Sequence, residues 1–245
     1  MTRLDLSATE LDVVWRALKF GALPLVVDVP SPGATYAERL DIERRVWVAL
    51  VERGLADDFG RAHWRLHDRL ETIARRGRSL ELRVFGADAT RAILATRGRR
   101  NVLAVLGDRF QIRSVPATRQ AATILALLPE VPAGQGHSVS VDTAVFADAT
   151  KTGKPLDRLR RHGVSTDDAR TLLAMATDSL RIAQIVAETR DADGHTVRSR
   201  AVSVHDTPAG RYQTIRTITA NTDHLTVTPA TTASIADALA AVTAR

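Results

Sequence analysis

Twice in this chain an alternating strand pattern runs into a helical pattern through Pro-Ala-Thr. Asp108-Arg109-Phe110-Gln111-Ile112-Arg113-Ser114-Val115-Pro116-Ala117-Thr118 precedes a helical pattern over Arg119–Leu128. Asp223-His224-Leu225-Thr226-Val227-Thr228-Pro229-Ala230-Thr231 precedes one over Thr232–Val242. The proline has a physical reason for its place: it cannot donate to a β-ladder, and its fixed φ suits the first turn of a helix. Internal repetition constrains architecture more than any isolated motif does. The repeat predicts two similar halves and a pseudo-symmetric molecule.

The rest of the chain fits that frame. Ser7-Ala8-Thr9-Glu10 and Thr35-Tyr36-Ala37-Glu38 are capping boxes, each opening a helix. The apolar run Leu23–Val29 between them predicts a short strand ending at Pro30-Ser31-Pro32-Gly33. His63, Leu66, Leu70 and Ile73 have helical spacing. The period then changes from 3.6 to 2, and Leu80–Phe85, Thr90–Thr96, Asn101–Leu106 and Phe110–Val115 predict four strands. Their short turns demand antiparallel neighbours, because a parallel crossover needs about a dozen residues. Beyond Pro129–Gly136 come a small strand, His137–Val141, a helix from Asp142 to about Thr150, a polar mobile stretch, Lys151–Gly163, and a helix capped by Ser165-Thr166-Asp167-Asp168. Arg181–Thr189, His195–His205, Arg211–Ala220 and His224–Thr228 predict a second four-stranded meander. The expected fold class is therefore α+β, with a central antiparallel β-sheet from two four-stranded meanders and flanking helices. It forms one domain over residues 1–245, with an N-terminal half of about 1–128, a linker at 129–136 and a C-terminal half of about 137–245.

Composition bounds the function. The chain has 245 residues, 44% of them apolar, and a mean hydropathy of −0.09, as in an ordinary globular protein. No apolar run reaches the roughly 18 residues that span a bilayer. Asp5, Glu10 and Asp12 break up the start of the chain where a signal peptide would be basic and then apolar, so a cytoplasmic protein is expected. Without cysteine there are no disulfides and no thiolate metal sites. A net charge of +6 raises nucleic-acid binding as the alternative reading. The arginines are interspersed with acids, as in Arg39-Leu40-Asp41-Ile42-Glu43-Arg44-Arg45, and aromatic residues are only 4%, which leaves little for stacking bases.

No catalytic, cofactor or metal motif survives inspection. His63 and His67 have the spacing of two ligands, but Trp64 stands where a zincin needs glutamate. Lys151-Thr152-Gly153-Lys154 lacks the glycine and the hydroxyl residue of a phosphate loop, with Asp148 and Pro155 in their places. His205 and Asp206 are adjacent on a strand and point to opposite faces, so they cannot form a base and its orienting carboxylate. Gly134-Gln135-Gly136 opens no helix after a strand and makes no dinucleotide site.

Four stretches in a fixed order carry a resemblance. They are Gly21-Ala22-Leu23-Pro24-Leu25-Val26-Val27-Asp28-Val29-Pro30-Ser31-Pro32-Gly33-Ala34-Thr35-Tyr36-Ala37-Glu38-Arg39; Leu50-Val51-Glu52-Arg53-Gly54-Leu55; Leu127-Leu128-Pro129 leading through Pro132-Ala133-Gly134 to Ser138-Val139-Ser140-Val141; and Asp206-Thr207-Pro208-Ala209-Gly210-Arg211-Tyr212. In these the chain resembles the EspG proteins of actinobacterial type VII (ESX) secretion. The resemblance implies a quasi-two-fold α+β fold and a cytoplasmic, non-enzymatic chaperone without cofactors, monomeric or weakly dimeric. Its implied partners are PPE proteins of PE–PPE pairs, or other small helical ESX substrates, held soluble and directed to secretion. An apolar helical tip needs covering, and a sheet face beside helices can receive it. On that basis Arg198, Arg200, Tyr212 and Arg216 are the expected exposed contacts on the second meander. Where the family has a long loop in the first half, this chain has only Arg97-Gly98-Arg99-Arg100, so Arg97, Arg99 and Arg100 would act there by charge.

Overall fold

The computed structural model describes residues 3–86, 89–151, 153–176, 178–191, 193–219 and 221–243. Thr152 of the Lys151–Lys154 stretch, Ala192 of an expected turn and Ala220 at the end of an expected strand lie outside them. The chain divides into two compact units. One is Met1–Leu82, Thr90–Gln120 and Glu188–Val197; the other is Arg83–Ala89, Ala121–Ala187 and Arg198–Arg245.

In the first unit, strand β1 (Leu4–Leu6) leads into helix α1 (Ala8–Ala17), α2 (Tyr36–Glu52) and α3 (Trp64–Ala74). Both capping boxes form. The Ser7 hydroxyl accepts the Glu10 amide while the Glu10 carboxylate accepts that of Ser7, and Thr35 and Glu38 do the same. Helix α3 has no box, and the His63 ring accepts the Arg65 amide in its place. Then follow β2 (Arg78–Gly86), which belongs to this unit as far as Leu82, β3 (Thr90–Arg97), β4 (Arg100–Leu106) and β5 (Phe110–Ser114). The antiparallel order is β1-β5-β4-β3-β2, with Leu6 opposite Phe110, Ala104 opposite Ile112 and Leu94 opposite Leu103. Ile93, Ala95, Val102, Ala104, Phe110 and Ile112 face a core completed by Val14 and Trp15 of α1, Leu50 of α2, and Leu66, Leu70 and Ile73 of α3. Burying each large aliphatic side chain is worth about 1.5–3 kcal/mol, and this set anchors the three helices to one sheet face.

Two features of this unit depart from expectation. β1 has only three residues, too few to show a period, and exists because β5 offers it an edge. Leu23–Val29 is not a strand: Leu25–Val27 make a 3-10 turn with Val26 and Val27 both fully buried. Adjacent buried residues do not suit a strand with one face on the core, and prolines at 24 and 30 bracket the turn.

The second unit takes up α4 (Gln120–Leu125) from Ala121, β6 (Val139–Asp142), α5 (Thr143–Thr150), α6 (Pro155–Arg161), α7 (Thr166–Ala176), β7 (Arg181–Arg190) as far as Ala187, β9 (Val202–Thr207), β10 (Gly210–Ile218), β11 (Asp223–Pro229) and α8 (Thr232–Thr243), with only Arg198 of β8 (Thr196–Arg198). Within it β7-β9-β10-β11-β6 are antiparallel neighbours; β8 pairs with β7. Val139 and Val141 of β6, Tyr212 of β10 and Val227 of β11 pack with Ala149, Leu159, Ala169, Leu172 and Met175 of α5–α7. The α+β class expected from the change of period is the class observed, an antiparallel sheet with several helices.

Lys151–Gly163, expected to be mobile, contains helix α6: Pro155 starts it at a position where proline costs nothing, and Leu159 is fully buried. The expected strand His195–His205 is broken into β8 and β9: at Ser199 the hydroxyl, in place of the backbone carbonyl, accepts the Ala187 amide, while the Ser199 amide still donates to the Ala187 carbonyl. The repeated exit is regular in order and unequal in length. Pro116 opens a 3-10 turn, Ala117–Arg119, ahead of the six-residue α4, whereas Pro229 ends β11 ahead of the twelve-residue α8.

Leu159→Ala tests whether α6 belongs to the core. Urea unfolding followed by circular dichroism should show a loss of about 2–4 kcal/mol, against less than about 0.5 kcal/mol for a solvated loop position.

Candidate partner-binding surface

The hairpin Asp206–Tyr212, expected to point toward a partner, is built first of all as a fastener. Arg211 is only 3% exposed and Asp206 4%. Arg211 Nε and Nη2 donate to the two carboxylate oxygens of Asp206 at 2.6 and 2.9 Å, and Nη2 also donates to the Pro129 carbonyl at 2.9 Å. The Arg211 amide donates to the Pro132 carbonyl, and its carbonyl accepts the amides of Gly134 and Ala230. Residues 129–136 are thereby docked along β10, with Ala133 bridged in parallel to Arg211. The approach leaves no room for a side chain. A Cβ on Gly134 would lie 2.0 Å from Tyr212 Cζ, and one on Gly210, whose φ is 121°, would lie 2.6 Å from Gly134 Cα.

Tyr212, expected to be exposed, is 2% exposed, and its hydroxyl donates to the Gln135 carbonyl at 3.1 Å. Its alternation phase on β10 turns it toward Val139, Leu172 and Met175. It supports the surface and cannot itself be a contact. The three arginines of the same group are exposed: Arg198 at the end of β8, Arg200 in the break before β9, and Arg216 on β10. Arg216 is already engaged across the β10–β11 ladder, donating Nε to Asp223 Oδ1 at 2.7 Å and Nη2 to its other oxygen. The Arg216 hydrogen bonds, with one from Thr143 and the nearby charge of Arg200, push the Asp223 carboxyl down to about 2.

The other three expected residues sit in the first unit, around the β3–β4 turn. Arg97 bridges to Glu71 of α3 at 2.6 Å and holds that carboxyl below its usual range, while Arg100 reaches Asp68 at 3.3 Å. Arg99 projects from the turn. Beside them lies an open concavity of about 360 Å³, lined by Trp64, Arg65, Arg69, Arg99, Arg100 and Asn101 among others. Composition pointed to basic surface, but only the packing of α3 against β4 and β5 gathers it into one place.

Sequence reasoning also missed exposed apolar residues of the second unit. Leu180 is 66% exposed, and Phe85 and Ile218 are each exposed by more than four-tenths. Isolated apolar residues in strand-rich sequence carry no signal of which face they take.

His67, Asp68 and Glu71 lie close enough together to offer metal ligands, but Arg97 and Arg100 engage the two carboxylates. Burial holds the His205 imidazole below its usual range, its Nδ1 stands 3.4 Å from Ser179 Oγ, and Asp206 turns to Arg211 instead. Among the described residues no helix is long and apolar enough to cross a membrane.

Antiparallel strands with helices packed against them make the fold α+β. The chain belongs to the EspG family, whose family model matches residues 7–241. It is similar to the ESX-1 secretion-associated protein EspG1 of Mycolicibacterium smegmatis, in strains mc(2)155 and MKD8 alike. Identity is 25% over 201 residues, covering 77% of this chain and 67% of that protein. Its fold is similar to that of the Mycobacterium tuberculosis type VII secretion system chaperone EspG5, solved in complex with a PE25–PPE41 dimer. The TM-score is 0.76 at 17% identity, covering 98% of this chain and 95% of that one.

Two outcomes follow from the geometry. Asp206→Asn leaves the buried Arg211 charge uncompensated and should cost about 3–5 kcal/mol in urea unfolding, with residues 129–136 losing amide protection in hydrogen exchange. The folded-state Asp223 carboxyl lies below its unfolded value of 3.8. Its contribution to stability is therefore complete above that value and lost as pH falls toward 2. An NMR titration should find its midpoint near 2 in the parent protein and back in the ordinary carboxylate range in Arg216→Ala.

Proposed function

We propose that this protein is a cytoplasmic type VII secretion chaperone that binds a helical substrate, the PPE member of a PE–PPE pair or a similar small helical ESX protein. In this reading it keeps the substrate soluble, directs it to the secretion system, and performs no chemistry. The observation that carries the reading is the family match over residues 7–241. The EspG5 relative, bound to a PE25–PPE41 dimer in its own structure, is in keeping with it.

The receiving surface is proposed on the exposed side chains of the second unit. Arg198 and Arg200 would supply charge, Leu180 and Ile218 apolar contact, and Tyr212 and Arg211 the rigid support beneath them. Covering the apolar tip of a helical hairpin removes a patch that would otherwise aggregate, and rim charges set the encounter rate and its salt dependence more than the final affinity. Arg216 is a weaker contact here, since Asp223 already neutralises it.

Co-expression with a PE–PPE pair or small helical ESX protein encoded beside the gene should give a soluble stoichiometric complex on gel filtration. Recovery of the substrate in the soluble fraction should depend on this chain. Leu180→Glu combined with Arg200→Glu should weaken the complex by about tenfold or more, roughly 1.4 kcal/mol, and Arg216→Ala by much less. An unchanged pull-down for the double variant would reject the surface. Failure to hold any neighbouring substrate, together with salt-sensitive binding to random DNA, would favour a nucleic-acid-associated role instead.

A further inference from the structure

Many arginines of this chain are matched to carboxylates: Arg39 to Asp12 and Glu43, Arg53 to Asp5 and Glu10, and Arg97 to Glu71. The concavity between α3 and the β3–β4 turn breaks that pattern. Arg65, Arg69, Arg99 and Arg100 all line it, and Asp68 is the single carboxylate there, so four positive charges face one negative. Asp68 is claimed by Arg100 at 3.3 Å. Among the described residues Arg65, Arg69 and Arg99 have no carboxylate partner. The half-buried Arg69 has only a long 3.5 Å contact to the Ile112 carbonyl. Burial, and then the charge of Arg65 one helical turn away, both disfavour its cationic form. A guanidinium held half-buried beside another without a counter-charge costs free energy, which an incoming anion would return.

We infer that this concavity of the first unit is a docking site for an acidic segment of a partner protein, its carboxylates taken by Arg65, Arg69 and Arg99. Guanidinium forks match carboxylates with paired, charge-assisted hydrogen bonds, and a volume of about 360 Å³ accommodates a short stretch of chain. Trp64, 62% exposed at the rim, offers apolar surface to side chains flanking the acids. Nucleic acid is disfavoured by the same geometry. A single-strand track needs successive aromatic faces for base stacking. The one aromatic here already has the Arg65 guanidinium over its ring, 5.1 Å from the centroid. The site lies wholly in the first unit and does not depend on the chaperone reading.

The test uses the full chain and a fluorescein-labelled peptide of alternating Glu and Leu, with a mixed-sequence single-stranded DNA oligonucleotide of the same length as competitor. Anisotropy should show saturable peptide binding that weakens as salt rises, with a shift in Trp64 emission absent from Trp64→Leu. Arg69→Gln and Arg99→Glu should each weaken binding by about fivefold or more, while Arg170→Glu, an exposed position in the other unit, changes it by less than about twofold. Should Arg69→Gln lower the melting temperature, Arg99→Glu on the exposed turn still decides. Absence of saturable binding, equal binding by the variants, or displacement by the oligonucleotide at lower concentration than by unlabelled peptide would each overturn the inference. Substrate capture is read in a separate experiment, so failure here leaves it untouched and failure there leaves this site standing.

Discussion

The second unit is organised by a charge that has nowhere to go. Arg211 is buried, and a guanidinium keeps its proton in any protein environment. It must therefore be neutralised and its donors filled. Asp206 supplies the charge from across the hairpin and the Pro129 carbonyl takes a further hydrogen bond. Because those acceptors come from two distant parts of the chain, satisfying one side chain fixes the hairpin and residues 129–136 together. The backbone of the same residue completes the arrangement, accepting from Gly134 and Ala230 and donating to Pro132. Tyr212 then has one position to occupy, under the docked segment and against the helices that follow it. The exposed side chains of this sheet are presented on a support that leaves little freedom to adjust.

Much of this was legible in the sequence where the signal is local. Capping boxes, turn glycines and a change from helical to alternating period located most helices and strands, because each depends on neighbours within a few residues. The misses share a different cause. β1 exists only through its partner β5; Val26 and Val27 form a turn because tertiary packing wants both inside; and Leu159 makes a helix of a stretch whose composition reads as solvated. The same limit explains Tyr212. Alternation says that it faces one side of β10, but which side is covered depends on α7, some forty residues earlier. The family resemblance of Asp206–Tyr212 was visible. Its reason, a buried ion pair rather than a contact surface, was not.

Charge divides in a similar way. Sequence gives the excess of arginine but not its pairing, and pairing decides what the excess can do. Where a carboxylate lies across a ladder or one helical turn away, as for Arg216 and Asp223 or Arg97 and Glu71, the arginine is structural and surface pairs of this kind contribute little on balance. Where packing collects arginines from α3 and a hairpin turn without matching acids, a local field remains that no formal net charge describes.

The docking of residues 129–136 has a consequence for how the chain endures in a cell. Read by composition, a stretch of prolines and glycines with exposed side chains is where a protease would be expected to nick. Cleavage requires the backbone to be drawn out into an extended, unpaired conformation, and here the carbonyls of Pro129, Pro132 and Gln135 and the amide of Gly134 are already in use. This stretch is thus shielded by hydrogen bonds rather than by burial. Its persistence is tied to an ion pair on another strand: as long as Asp206 holds Arg211, this irregular passage behaves as part of the sheet.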